Sequence, residues 1–149
     1  MHDLVNNIAV MQSVMPQVIA AAALSTGNID TQGADIQSFV VLVGNIADVL
    51  SGAVRIDLSI SHADDDGTGN PAAFSGCADT DVLNFTGLTS GIFASVNAAA
   101  AAEKRYVIDY IGGKRFVKVI ATPVGLVTGG TVAVLSLQAN LHTLPAVNA

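Results

Sequence analysis

The densest run of potential ligand oxygens in the chain is Asp64-Asp65-Asp66-Gly67-Thr68-Gly69-Asn70-Pro71. Asp64, Asp66, Thr68 and Asn70 alternate hard oxygen donors as calcium loops do. An EF-hand loop requires Gly at its sixth position and Glu at its twelfth. Counted from Asp64 the sixth residue is Gly69, but the twelfth is Ser75. The run therefore reads as an Asp/Gly turn with solvated carboxylates. A weak calcium site at Asp64, Asp66, Thr68 and Asn70 is the alternative. His2, His62 and His142 stand far apart, without the short pair spacings of zinc sites, and read as surface or interface residues. Cys77 is the single cysteine, so it cannot form an internal disulfide and reads as a small buried or half-buried filler. No phosphate-binding glycine loop, nucleophile elbow or HExxH helix is present. Glu103 and the scattered Asp residues form no recognisable carboxylate pair. These residues point to no enzyme, no metal centre and no cofactor.

Positive charge is distributed very differently. The chain carries six Lys and Arg residues against twelve Asp and Glu, for a net charge of -6. Five of the six lie in one stretch: Lys104, Arg105, Lys114, Arg115 and Lys118. That stretch, Lys104 to Thr122, reads as two strands. Tyr106, Ile108 and Tyr110 alternate with Val107, Asp109 and Ile111, and Phe116, Lys118 and Ile120 alternate with Val117, Val119 and Ala121. Gly112-Gly113 between them suits a two-residue hairpin turn with positive φ. At about 3.3 Å per residue, Arg105 and Lys114 fall at opposite ends of such a hairpin, giving two basic spots rather than one patch. The five basic residues are interface candidates that could meet acidic groups on a neighbouring subunit. The competing reading is that they keep a strand edge soluble and unpaired.

The elements that must position these residues are short strands. Ile36 to Val43 is a β run whose residues Phe39 to Val43 are continuously apolar, so it is expected in mid-sheet with both faces buried. Ala53 to His62 alternates strictly, with Val54, Ile56, Leu58 and Ile60 toward a core and Arg55, Asp57, Ser59 and Ser61 away from it. Further strands are expected near Phe74, at Asp81 to Phe85, at Ile92 to Val96 and at Thr131 to Gln138, punctuated by Gly, Asp and Pro. The alanines before Glu103 suit either one helical turn or a loop, since a helix of that length is marginal alone. Residues 1–25 read as an extended arm leading into a strand near Val18 to Leu24, and residues 139–149 as a tail containing Pro145. Pro16 and the shortness of the apolar run weaken a helix there. The expected fold is all-β: a single antiparallel β-sandwich or jelly-roll-like domain over residues 1–149, with about eight short strands.

Composition narrows the function classes. At 149 residues one domain is the natural expectation, and a chain of that size buries roughly 70% of its unfolded surface without needing a disulfide or metal. Hydrophobic residues make up 51% but aromatics only 5%, and charged residues 12%, about half the usual share. Few charges with many small aliphatics suggest a surface that meets other protein. Acidity argues against nucleic acid as a partner. No run of 18 apolar residues suggests a membrane span. The apolar Val14 to Leu24 segment lacks a preceding Lys or Arg and is interrupted by Pro16 and Gln17, unlike a secretory signal.

The opening D-L-V-N-N-I-A-V, the Thr-Gly-Asn-Ile-Asp-Thr-Gln-Gly connection, the strand ending in His62 with its Asp-Asp-Gly loop, and Tyr106 to Val119 as Y-V-I-D-Y-I-G-G-K-R-F-V-K-V together resemble one family. It comprises small tailed-phage head proteins that act as capsid decoration, or cement, proteins. The resemblance extends over most of the chain, and the tail matches only loosely. It implies a β-rich subunit, made in the host cytoplasm, that binds the major capsid protein on the outer surface of the virion and reinforces the shell. Such subunits often form homotrimers. None of the shared motifs is catalytic, so no site residues carry over. The alternatives are a neck or tail subunit of the virion and a glycan-binding β-sandwich module on the particle surface. The latter is disfavoured by the absence of Trp and the presence of only two Tyr.

Overall fold

In the computed structural model, which describes residues 6–83 and 85–142, alternation decides which side chains enter the core. Eleven strands form among the described residues, and β2, β3, β6 and β7 contain two residues each. One sheet contains β1 (Ile8–Ile19), β11 (Gly130–Leu141), β4 (Ala34–Ile46), β9 (Lys104–Tyr110) and β7 (Val82–Leu83), in that order. The second contains β2 (Leu24–Ser25), β10 (Phe116–Val124), β5 (Arg55–Ala63) and β6 (Ser75–Gly76), with β3 (Ile29–Asp30) also on β10 and β8 (Ile92–Val96) on β5. Every pairing is antiparallel. The protein is thus an all-β antiparallel sandwich, as the strand pattern implied. Among the described residues, its helical content is limited to single 3₁₀ turns at Asp79–Asp81 and Ala99–Ala101.

The core is aliphatic and lies between the sheets. Phe39, Val41 and Val43 of β4, Ile108 of β9 and Val132 and Val134 of β11 face Ile56, Leu58 and Ile60 of β5 and Val117, Val119 and Ala121 of β10. Fully burying such a side chain contributes on the order of 1.5–3 kcal/mol. The expected alternation of β5 is present, with one addition: Asp57 is also buried, bonded by Arg55 Nε at 2.9 Å and by Ser95 Oγ at 2.6 Å. Desolvation opposes its charge, while Arg55 and Ser95 hold its carboxyl below the ordinary range.

Four expectations require correction. The two strands of the basic stretch exist, but they are not a hairpin: β9 pairs with β4 and β7, whereas β10 pairs with β5, β2 and β3. Residues 111–115 therefore cross from one sheet to the other. Neither Gly112 nor Gly113 has positive φ. A Cβ at Gly112 would lie 2.6 Å from the Tyr110 ring, so this glycine makes room for the ring rather than for a tight turn.

The expected mid-sheet strand β4 is indeed central, but only alternate residues are buried; Ile36 and Leu42 on its other face are more than two-fifths exposed. Within the segment expected as an arm, residues 8–19 form a full edge strand paired with β11, irregular between Gln12 and Val14 and again between Val14 and Gln17. Pro16 falls in the second irregularity, where an edge strand can lack a backbone N–H. Of the expected tail, residues 139–141 continue β11, and residues 143–149 lie outside those described.

Candidate functional site

Two features that are separate in sequence meet at one end of the sandwich. The loop after β5 turns back on itself, with Asp66 N–H donating to the Asn70 carbonyl at 2.9 Å and Ala72 N–H to the Asp64 carbonyl at 2.8 Å. Its carboxylates are occupied by neighbouring donors. Asp66 Oδ1 accepts Thr68 N–H at 2.8 Å, Thr68 Oγ1–H at 2.6 Å and Asn70 N–H at 3.3 Å. Asp65 Oδ1 accepts Gly67 N–H at 2.7 Å and Gly69 N–H at 3.0 Å, and both glycines adopt the positive φ this fold of the loop requires. These donors hold both carboxyls below the ordinary range: chiefly the Thr68 hydroxyl for Asp66 and the Gly69 amide for Asp65. Of the four calcium candidates, Asp66, Thr68 and Asn70 are joined side chain to side chain, with Asn70 Nδ2–H donating to Thr68 Oγ1 at 3.0 Å, while the carboxylates of Asp64 and Asp65 pair with cationic side chains.

Those cations come from the sheet-crossing segment. Lys114 Nζ lies 3.4 Å from Asp64, and Arg115 ion-pairs with both Asp65 and Asp30, the latter at 2.7 Å. Arg115 is the main reason that the Asp30 carboxyl is held low. The pairing of β3 with β10 fixes this arrangement, because Asp30 stands opposite Phe116 in register. Thr31 adds backbone and hydroxyl hydrogen bonds to the Arg115 carbonyl at 2.8 and 2.9 Å. Lys118 lies over the Phe74 ring, 3.8 Å from its centroid, a cation–π contact. Three of the five basic candidates thus engage groups of their own chain. Lys104 and Arg105 are exposed at the start of β9, at the far end of that strand.

Beneath the ion pairs lies a polar group that the sequence reading kept apart. The inward alternation of β5 continues past Ile60 to His62, which is buried rather than at the surface. The inward alternation of β9 ends on Tyr110, also buried. Their rings meet edge-to-face with centroids 5.8 Å apart, and the Tyr110 hydroxyl lies 3.1 Å from His62 Nδ1. Tyr110 Oη also accepts Lys114 N–H at 3.1 Å and donates to the Lys114 carbonyl at 3.3 Å. The Tyr110 hydroxyl thus ties His62 Nδ1 to the Lys114 backbone, and Nε2 is the ring nitrogen turned toward Asp81. Nε2 stands 3.9 Å from Asp81 Oδ2, beyond hydrogen-bond reach. Cys77 completes the group.

The ligand atoms of His62, Cys77 and Asp81 all lie within 4.8 Å of one another, and among the described residues they form the single cluster of three or more such groups. Burial pushes the Cys77 thiol up to about 12 and the Tyr110 phenol up to about 12, and it lowers the His62 imidazole against the opposing pull of Asp81. The expectation for Cys77, a buried small residue, is met. His142 is exposed and paired with Asp35 at 2.7 Å, while His2 lies outside the described residues.

A third feature lies on the opposite face of the first sheet. Across β11, β4 and β9, Leu135, Val40 and Val107 stand opposite one another in register, as do Ala133, Leu42 and Arg105. Ile36, Leu42, Leu83 and Val107 are each more than two-fifths exposed there. Arg105, Gln12 opposite Leu135, and a polar pair in which Ser38 donates to Asp109 interrupt the apolar surface.

These features define an antiparallel β-sandwich with one polar end and one apolar sheet face. No protein-family model matches the chain, and no curated protein matches it. Among solved structures it is similar to the VP2 subviral particle of infectious bursal disease virus, with 12% identity and a TM-score of 0.32 over 87% of this chain and 40% of that one. It is also similar to a point mutant of the same virus's VP2 in T=1 particles, with 11% identity and a TM-score of 0.31 over 87% of this chain and 38% of that one. The chain spans about two-fifths of the length of these proteins. A likeness of this order assigns neither a family nor a function. No described helix is long and apolar enough to cross a membrane.

Proposed function

We propose that the protein is a non-enzymatic structural component of a tailed-phage virion that binds the outside of the capsid and reinforces it as a decoration protein. The observation that carries this reading is the outer face of the five-stranded sheet. It presents Ile36, Val40, Leu42 and Val107 on adjacent central strands with few charges. Exposed apolar side chains grouped on adjacent strands favour a protein contact. The low charge of the whole chain and its resemblance to decoration proteins point the same way, and the major capsid protein is the partner this reading names. Lys104 and Arg105 border the same sheet and can meet acidic groups at the rim of the contact.

The test is co-sedimentation of the purified protein with phage heads that lack it, followed by a heat challenge. Saturable binding at hundreds of copies per head, with greater heat resistance, is the expected result. Binding at a few copies would instead make it a neck or tail subunit, and heads no more robust with it would remove the cementing role.

A further inference from the structure

We propose that His62 Nε2, Cys77 Sγ and a carboxylate oxygen of Asp81 form a three-ligand site for Zn²⁺, with water in the fourth position, that clamps the two sheets at their polar end. Three observations carry it. First, the three ligand atoms converge within 4.8 Å, from residues that approach from separate elements. Two ligands on a tetrahedral zinc at 2.0–2.2 Å are separated by about 3.4 Å, so closing the 3.9 Å between Nε2 and Oδ2 requires a shift of only about half an ångström. Second, Nε2 and Oδ2 face one another at 3.9 Å with no hydrogen bond between them, a gap that a shared cation would bridge. Third, the outer partners that orient metal ligands are already in place: His62 Nδ1 lies 3.1 Å from the Tyr110 hydroxyl, and Asp81 Oδ2 accepts Ala78 N–H at 2.8 Å.

The donor set selects the ion. One sulfur, one imidazole nitrogen and one carboxylate oxygen suit zinc rather than calcium or magnesium, which take oxygen alone. Asp81 is partly exposed, which gives an entry path and leaves room for a water ligand. The surrounding charges are Lys114, which opposes a cation, and Asp64, which faces Lys114 at 3.4 Å and offsets it. Binding transfers the Cys77 proton to solvent, and the sulfur electron pair that held it goes to the metal.

The position gives the ion a mechanical role. His62 belongs to β5 of one sheet, while Asp81 leads directly into β7 of the other, and its carbonyl accepts the N–H groups of Ile111 and Gly112 in the crossing segment. A zinc here would link both sheets and the segment between them, in a chain with no disulfide.

The experiment uses the full chain, stripped with a chelator and titrated with Co²⁺ and then Zn²⁺. One equivalent of Co²⁺ is expected to give a thiolate-to-cobalt charge-transfer band together with intense visible bands of tetrahedral cobalt. One equivalent of Zn²⁺ should bleach both and raise Tm. Cys77→Ser should abolish the charge-transfer band. Asp81→Asn, at a partly exposed position that leaves the core intact, should weaken cobalt binding roughly tenfold or more, as should His62→Gln. Absence of the charge-transfer band in the folded wild-type chain would overturn the proposal. So would a band whose affinity is unchanged in Asp81→Asn, since that would be a thiol binding alone.

Discussion

Arg115 shows how a charged residue can be legible in type and opaque in role. The concentration of Lys and Arg around the two glycines suggested residues held out toward a partner. Instead Arg115 bridges Asp30 and Asp65, two acids that lie 85 and 50 positions away in sequence. Nothing in the local spacing of either acidic segment announces that contact, because it is made by the β3–β10 register and the turn after β5. The consequence for stability has a definite sign. The Asp30 carboxyl is held low mainly by Arg115, and that of Asp65 by the Gly69 and Gly67 amides with Arg115 in support. Carboxyls with depressed folded values stabilise the protein above the ordinary aspartate pKa of about 3.9, and that contribution is lost as pH falls through the lower folded values. Thermal melts followed by circular dichroism should therefore show Tm falling from about pH 5 downward. In Arg115→Gln, Tm should be lower at neutral pH, and the two profiles should converge in acid. Other depressed carboxyls, such as Asp48 and Asp66, titrate equally in both proteins, so the difference isolates Arg115. Parallel profiles would show that Arg115 contributes nothing through these pairs.

At the level of elements, strands were readable and partners were not. The period of two in Ala53–His62 correctly placed Ile56, Leu58 and Ile60 inward, and that in Tyr106–Tyr110 grouped Tyr106, Ile108 and Tyr110 on one face, which the structure turns toward the core. Carried one step further, the same period places His62 inward, and that was the available signal for the polar cluster. Cys77 and Asp81 gave none, since each sits in a short connection whose course depends on tertiary contacts. The Gly112-Gly113 pair misled because a hairpin turn and a sheet crossing both favour residues without side chains. What separates them is whether the flanking strands bond each other, and alternation is silent on that. The crossing makes its own prediction. Tyr110 cannot retreat from position 112, because its ring is buried and its hydroxyl is held by His62 and Lys114. Gly112→Ala should cost about 1–3 kcal/mol, as overpacking does. Gly113→Ala, with nothing within 4 Å of the added carbon and no positive φ, should be near neutral. Chemical denaturation of both variants checks this. Equal losses would mean that the pair acts through backbone freedom, as in a hairpin, and not through the room left for Tyr110.

For the molecule as a whole, composition announced more than any motif did. A chain with half the usual charge must leave apolar surface uncovered once its core is full, and here part of that surface is grouped on one sheet face, while Val49 and Val127 are exposed on loops. The sequence could not locate it, because β4 reads as a continuous apolar run that looks buried on both faces. Only the structure shows that Phe39, Val41 and Val43 face the core while Ile36 and Leu42 face outward. If this face is where the protein meets a capsid, charge placed on it should abolish binding and spare the fold. Leu42→Glu sets a carboxylate directly across from Arg105 in the β4–β9 register, and Val107→Lys adds an ammonium on the same face. Both positions are half-exposed, so the new side chains can extend their charged ends into water. The double variant should melt within about 0.5 kcal/mol of wild type, the usual range for surface changes. Its binding to phage heads should nevertheless fall at least tenfold, since even paired charges must shed their water inside the contact, at a cost of roughly several kcal/mol per ion that their mutual attraction repays only in part. Heads decorated equally by the variant would exclude this face as the contact.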